Sequence, residues 1–163
     1  MIRRFLFSAA MLVGSSSAFA AIPSVMLKDM DGRSVDTAEL SNDGKPMVIS
    51  FWASWCKPCI RELNTIKEVY PDWQDETGVK LIAVSIDQAQ DAQKVKPIVS
   101  RMGWEYDVLL DTNSEFKRMM GVSDPPHVFV VDGEGNVVWN HQGYVEGSEE
   151  EIIEAVKKAM GQE

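Results

Sequence analysis

The run Lys45-Pro46-Met47-Val48-Ile49-Ser50-Phe51-Trp52-Ala53 constrains the fold more than any other stretch. It is densely apolar and shows no alternation, the pattern of a central strand covered on both faces. It leads within three residues into a segment of helical period, with Ile60, Leu63, Ile66, Lys67 and Tyr70 on one stripe. A fully covered strand followed at once by an amphipathic helix suits an α/β architecture, and strands alternating with helices along the chain indicate a parallel core. The run Val79 to Asp87 repeats the strand signal, and short strands are expected in Glu105 to Asp111 and His127 to Asp132. Helices are expected over Ala89–Gly103, Thr112–Val122 and Ser148–Gly161, with Pro97 and Pro71 as kinks and Gly78 ending the first helix. Thr112 or Asn113 can cap the third helix. Ser148 and Glu151 form a capping box for the last, whose first turn is acidic and last turn basic. Asp31-Gly32 places a hairpin ahead of the core and Gly133 to Asn136 places one near its end. The sequence thus reads as a mixed central sheet between helices, with an N-terminal hairpin.

The first twenty residues do not belong to that pattern. Arg3 and Arg4 precede an apolar run from Phe5 to Val13, and Ala18-Phe19-Ala20 has the small-x-small form of a cleavage site. The run is short for a bilayer span, which needs about 20 apolar residues. Residues 1–20 are therefore expected to be a signal peptide, with an N-terminal anchor as the alternative, and residues 21–163 a single domain. The chain's net charge of −9 becomes −11 once Arg3 and Arg4 are removed. So acidic a surface disfavours nucleic acid and anionic membranes as partners. Export places the chain in an oxidising, extracytoplasmic space such as the periplasm, soluble after cleavage.

The chain has two cysteines, Cys56 and Cys59, separated by Lys57-Pro58. A zinc site would need His127 and His141 as well, and these are 14 apart, too far for finger spacing. A staple closing so small a loop would add little to a chain that already has a core. The pair stands between a buried strand and a helix start. Unpaired N–H groups and the helix dipole favour a thiolate at Cys56 there, and Lys57 adds a cation. Pro58 suits the first helical turn. Cys59, one turn in, can reach back to the sulfur of Cys56. This reading makes Cys56 the attacking thiol and Cys59 the resolving one.

The stretch Val48-Ile49-Ser50-Phe51-Trp52-Ala53-Ser54-Trp55-Cys56-Lys57-Pro58-Cys59 resembles the active-site strand and loop of the thioredoxin fold. The segment Gly121 to Val138 resembles that family's cis-proline segment, with Pro126 at the cis position. From Ile22 to Met160 the chain is similar to the exported TlpA/ResA-like thiol-disulfide oxidoreductases. The resemblance implies a three-layer thioredoxin-like fold with helices on both faces of the sheet. It implies a reductant of a limited set of exported proteins, kept reduced by a membrane-bound donor and often serving cytochrome c maturation. It implies no cofactor beyond the Cys56–Cys59 disulfide, no metal, and a monomer. It also implies that a buried acid stands three residues after the second cysteine, at Glu62, in place of the aspartate that thioredoxin carries at the position of Ser50. Such an acid would have a raised pKa and would exchange a proton with Cys59; ionised, it would disfavour the thiolate and lower the redox potential. Pro125, before the cis-proline, has no N–H to lend a bound strand, which implies a narrower set of partners. Trp52 is expected in the core and Trp55 at a partner-facing surface; His127 lies next to Pro126, and His141 is expected to be uninvolved.

Three other functions fit the residues less well. A thiol oxidant or isomerase would share the fold. A copper metallochaperone of the same fold would carry three residues between its cysteines, not two. A peroxidase would carry threonine at Ala53 and proline at Ile49.

Overall fold

The computed structural model describes residues 20–161. Seven strands form one sheet: β1 (Met26–Asp29), β2 (Ser34–Asp36), β3 (Met47–Trp52), β4 (Lys80–Ser85), β5 (Asp107–Leu110), β6 (His127–Val131) and β7 (Val137–Gln142). Their order is β2-β1-β5-β4-β3-β6-β7. β3, β4 and β5 run parallel, while β1 and β6 join them antiparallel, so the sheet is mixed as expected. The N-terminal hairpin β1–β2 lies at one edge and β6–β7 at the other. Among the described residues four α-helices connect or follow the strands: α1 (Lys57–Thr77), α2 (Val95–Met102), α3 (Glu115–Met119) and α4 (Ser148–Ala159).

All six residues of β3 are buried, which explains its unalternated apolarity. Ser50 Oγ reaches Glu62 on α1, so even-numbered positions of β3 face α1. Phe51, between them, faces the other layer. It packs on Phe116 of α3 and edge-on to Phe129 of β6. α4 packs beside α1. Helices therefore cover both faces in three layers, and the C-terminal end of β3 emerges between them.

Several local expectations change. Lys67 is exposed and donates to the carbonyl of Met102, while Glu62 takes a place on the buried stripe of α1. Pro71 sits inside α1, which runs on to Gly78 in the left-handed conformation. Pro97 is the third residue of α2, within the first turn, where its missing N–H has no helical partner to lose. α3 is capped by neither Thr112 nor Asn113. The buried Asp111 carboxylate accepts from the N–H groups of Glu115, Phe116 and Lys117 at 2.8–3.3 Å. Ser148 does not cap α4: Gly147, at φ 92°, makes the turn into the helix, and Ser148 is already its first residue. Glu151, expected to close a capping box, has its carboxylate 3.7 Å from Nδ1 of His141.

The expected signal peptide falls outside the described residues except for Ala20. The carbonyl of Ala20 accepts from Val137, and Ala21 bridges to Asn136, so the described chain begins against the start of β7. Among the described residues no helix is long and apolar enough to cross a membrane.

Candidate active site

The site is built where β3 gives way to α1. Ala53, Ser54 and Trp55 form the connection, and Cys56 caps the helix. The Cys56 N–H donates to the Ala53 carbonyl at 3.0 Å. The loop is pinned by Asp87, just beyond β4 and 1 % exposed. Its carboxylate accepts from Ser54 N–H at 2.8 Å, from Ser54 Oγ at 2.5 Å and from Ser85 Oγ at 2.7 Å. A buried carboxylate with three donors is held firmly, and it holds Ser54 in turn.

Cys56 and Cys59 are bonded as a disulfide. The Cys59 N–H donates to Sγ of Cys56 at 3.3 Å, as a side-chain cap at a helix start does. The same N–H will meet the Cys56 thiolate when the bond is reduced, which favours the ionised form. Cys59 is fully buried, whereas Cys56 keeps a small exposure. An incoming thiolate can therefore reach Cys56 and not Cys59. Lys57 and Pro58 are exposed in the first turn, and Trp55 is 61 % exposed beside the disulfide. Trp52 is fully buried and packs edge-on against Trp104.

The second loop of the site precedes β6. The Pro125–Pro126 bond is cis. The Pro125 carbonyl oxygen lies 3.7 Å from Sγ of Cys56, and the Pro126 carbonyl accepts from Gly143 N–H at 2.8 Å. Pro125, lacking an N–H, presents its carbonyl to the sulfur. His127 is buried with its ring stacked on Phe129, and Nε2 pairs with Asn140. His141 stacks on Trp139, toward α4.

Glu62 lies one turn after Cys59 and is 1 % exposed. Ser50 Oγ donates to its Oε1 at 3.4 Å. Burial pushes its carboxyl up to about 8; the Ser50 hydrogen bond opposes this and the charge of Glu149 on α4 adds to it. Glu62 is therefore protonated at neutral pH in the disulfide state. The ionised Glu62 that would lower the potential belongs to pH above about 8.

Sequence reasoning assigned no role to Asp87, and it read Ser50 only as a missing aspartate. The signal for Asp87 was a charged residue directly ending an apolar strand run. Among the described residues no three His, Cys, Asp or Glu side chains gather in a group that could hold a metal ion.

Comparison with known proteins agrees with this geometry. The model of the AhpC/TSA family matches residues 20–140. A thiol-disulfide oxidoreductase ResA from Bacillus thuringiensis is 31% identical over 136 residues, 83% of this chain and 75% of that protein. The solution structure of an uncharacterized thioredoxin-like protein from Porphyromonas gingivalis superposes with a TM-score of 0.79 at 57% identity, covering 90% of this chain and 95% of that one. A thio-disulfide isomerase from Thermus thermophilus superposes at 0.71 with 30% identity, covering 88% and 97%. The disulfide at a helix start, the proline loop against its more accessible sulfur and these relatives together establish that the chain belongs to the AhpC/TSA family of thioredoxin-like proteins and is a thiol-disulfide oxidoreductase of the ResA kind.

Proposed function

We propose that this protein is exported and reduces disulfides in a limited set of extracytoplasmic proteins, cytochrome c maturation being the setting its resemblance favours. A membrane-bound thiol donor returns it to the dithiol state. The observation that carries this reading is a carboxyl group buried to 1 % exposure one turn from the resolving cysteine. In the disulfide state Glu62 holds a proton at neutral pH. When a donor thiolate attacks Sγ of Cys56, the S–S bond breaks and Cys59 leaves as a thiolate. Glu62 supplies its proton, so the charge is not stranded in a buried site. In the forward reaction the reduced Cys56 thiolate attacks a substrate disulfide. Cys59 then gives its proton to Glu62, attacks Cys56 in the mixed disulfide and expels the substrate thiolate.

Cys56 is the nucleophile, Cys59 the resolving thiol and Glu62 their acid–base partner. Trp55 offers the partner an exposed aromatic face, and Lys57 and Pro58 shape the helix start. Pro125 and Pro126 wall the Cys56 sulfur without offering an N–H for strand pairing, which supports a narrow range of partners. Glu62→Gln tests the assignment. Reduction of the disulfide by dithiothreitol at neutral pH should slow by about 10²-fold. A variant that reacts at the parental rate would make Glu62 a structural residue and remove the basis of the reading.

A further inference from the structure

α4 brings a second acid to the buried one. α4 packs beside α1, and the chain leading into it is tied there by a 3.1 Å hydrogen bond between Tyr144 Oη and Thr65 Oγ1. Thr65 stands three residues beyond Glu62 on the same helix. Of the three acids opening α4, Glu150 and Glu151 are exposed, at a helix start whose dipole favours their charge. Glu149 is half-buried and its charge is felt at Glu62. Among the described residues no lysine, arginine or histidine pairs with Glu149. Three buried side-chain oxygens on α1 and the start of α4 have no partner: Oε2 of Glu62, Oγ of Ser148 and Oε2 of Glu149. Unpaired buried polar atoms are expensive, and each calls for an explanation.

We propose that Glu149 connects Glu62 to solvent, a second carboxyl that carries the proton into and out of the buried site. The proposal rests on Glu62 being the acid–base partner of Cys59. When the disulfide is reduced, the S–S bond breaks, Cys59 departs with the electron pair and Glu62 protonates it. Glu62 is then a carboxylate shut off from water. The ionised Glu149 takes a proton from solvent and passes it inward through a bridging water, since the two carboxyls share no direct hydrogen bond. In the forward reaction Glu62 first loses its proton through Glu149. It then accepts the proton of Cys59 as that thiolate attacks the mixed disulfide, and the expelled substrate thiolate is protonated by solvent. One proton crosses Glu149 in each direction per redox cycle.

The groups facing Glu62 are few. β3 presents the uncharged Ser50, α4 presents Glu149, and the chain before α4 places the neutral Tyr144 on Thr65. On α1 itself the cations Lys57 and Arg61 are exposed, and Glu146 before α4 is exposed. The pH profile should therefore report Glu62 and the charge that Glu149 places beside it.

The test is reduction of the Cys56–Cys59 disulfide of the full chain by dithiothreitol, measured from pH 6 to 10. Glu149→Gln should slow it about tenfold or more. Divided by the fraction of dithiothreitol present as thiolate, the rate should fall once Glu62 ionises, and Glu149→Gln should move that fall from about pH 8 to lower pH, because a neighbouring negative charge has been removed. Glu149→Asp or added acetate should restore much of the rate. Glu150→Gln should match the parent, and Glu62→Gln/Glu149→Gln should be no slower than Glu62→Gln alone. A parental rate and profile in Glu149→Gln would overturn the relay. So would losses that multiply in the double variant, or a loss that neither aspartate nor acetate reverses, which would mark a packing defect. If Glu62→Gln is slow while Glu149→Gln is parental, only the relay falls. If Glu62→Gln is itself parental, the acid–base role of Glu62 falls and the relay with it.

Discussion

Replacing Glu62 by Gln should change how stability depends on pH, by an amount the structure sets. The carboxyl titrates near 8 in the folded disulfide state and near 4.5 when the chain is unfolded. Between those values the folded state holds a proton that the unfolded state has released. The stability associated with this group is therefore fully present below pH 4.5, falls as pH rises and levels off above pH 8. At about 1.4 kcal/mol per pH unit, the gap between 4.5 and about 8 amounts to roughly 5 kcal/mol, of which about 3 is already lost at pH 7. Glutamine keeps the shape and cannot ionise. The oxidised parent and oxidised Glu62→Gln, unfolded by urea from pH 4 to 10, share every other titration. The difference between the two should therefore swing toward the variant by about 5 kcal/mol across that range. A difference that stays flat with pH would mean that Glu62 is hydrated and titrates normally, and the proton inventory assigned to it would fail.

Other outcomes follow from the same site. In the reduced Cys59→Ser variant, Cys56 should alkylate with a midpoint below the free-thiol value of about 8.5, because the residue-59 N–H and the helix start favour its thiolate; a midpoint at or above that value would show that the cap contributes nothing. Asp87→Ala strands the buried Ser85 hydroxyl and the part-buried Ser54 N–H and hydroxyl, and urea unfolding should show a loss of about 2–4 kcal/mol together with slower exchange at Cys56. Unchanged exchange in a destabilised variant would mean that the loop keeps its geometry without the clamp.

Much of the fold was legible because burial on both faces leaves a plain mark. Met47–Trp52 and Lys80–Ser85 read as central strands, and Asp31-Gly32 and Gly133–Asn136 fell on turns. Helix ends were harder. Capping depends on which side chain can reach the first N–H groups. Asp111 reaches α3 from the end of β5 and displaces two nearer candidates, while Gly147 supplies a turn that no serine at the next position could make. Of the site, the thiols and the helix start could be argued from spacing and dipole alone. Glu62 could not, because a glutamate one turn into a helix is ordinarily solvated; its assignment needed the resemblance, and its burial among Cys59, Leu63 and Ile66 came from the packing of α1 on β3. Asp87 and Glu149 act across elements distant in sequence, so no local pattern reveals them.

Whether this oxidoreductase works as a reductant is decided by its redox potential. Equilibrating the Cys56–Cys59 pair with defined ratios of dithiothreitol or glutathione at pH 7 gives the value. Only the moderate helix-start and Lys57 contributions favour the thiolate at that pH, so the account predicts a value close to the roughly −270 mV of thioredoxin. A value near the about −120 mV of strongly oxidising exchange proteins would contradict it and make the protein a thiol oxidant.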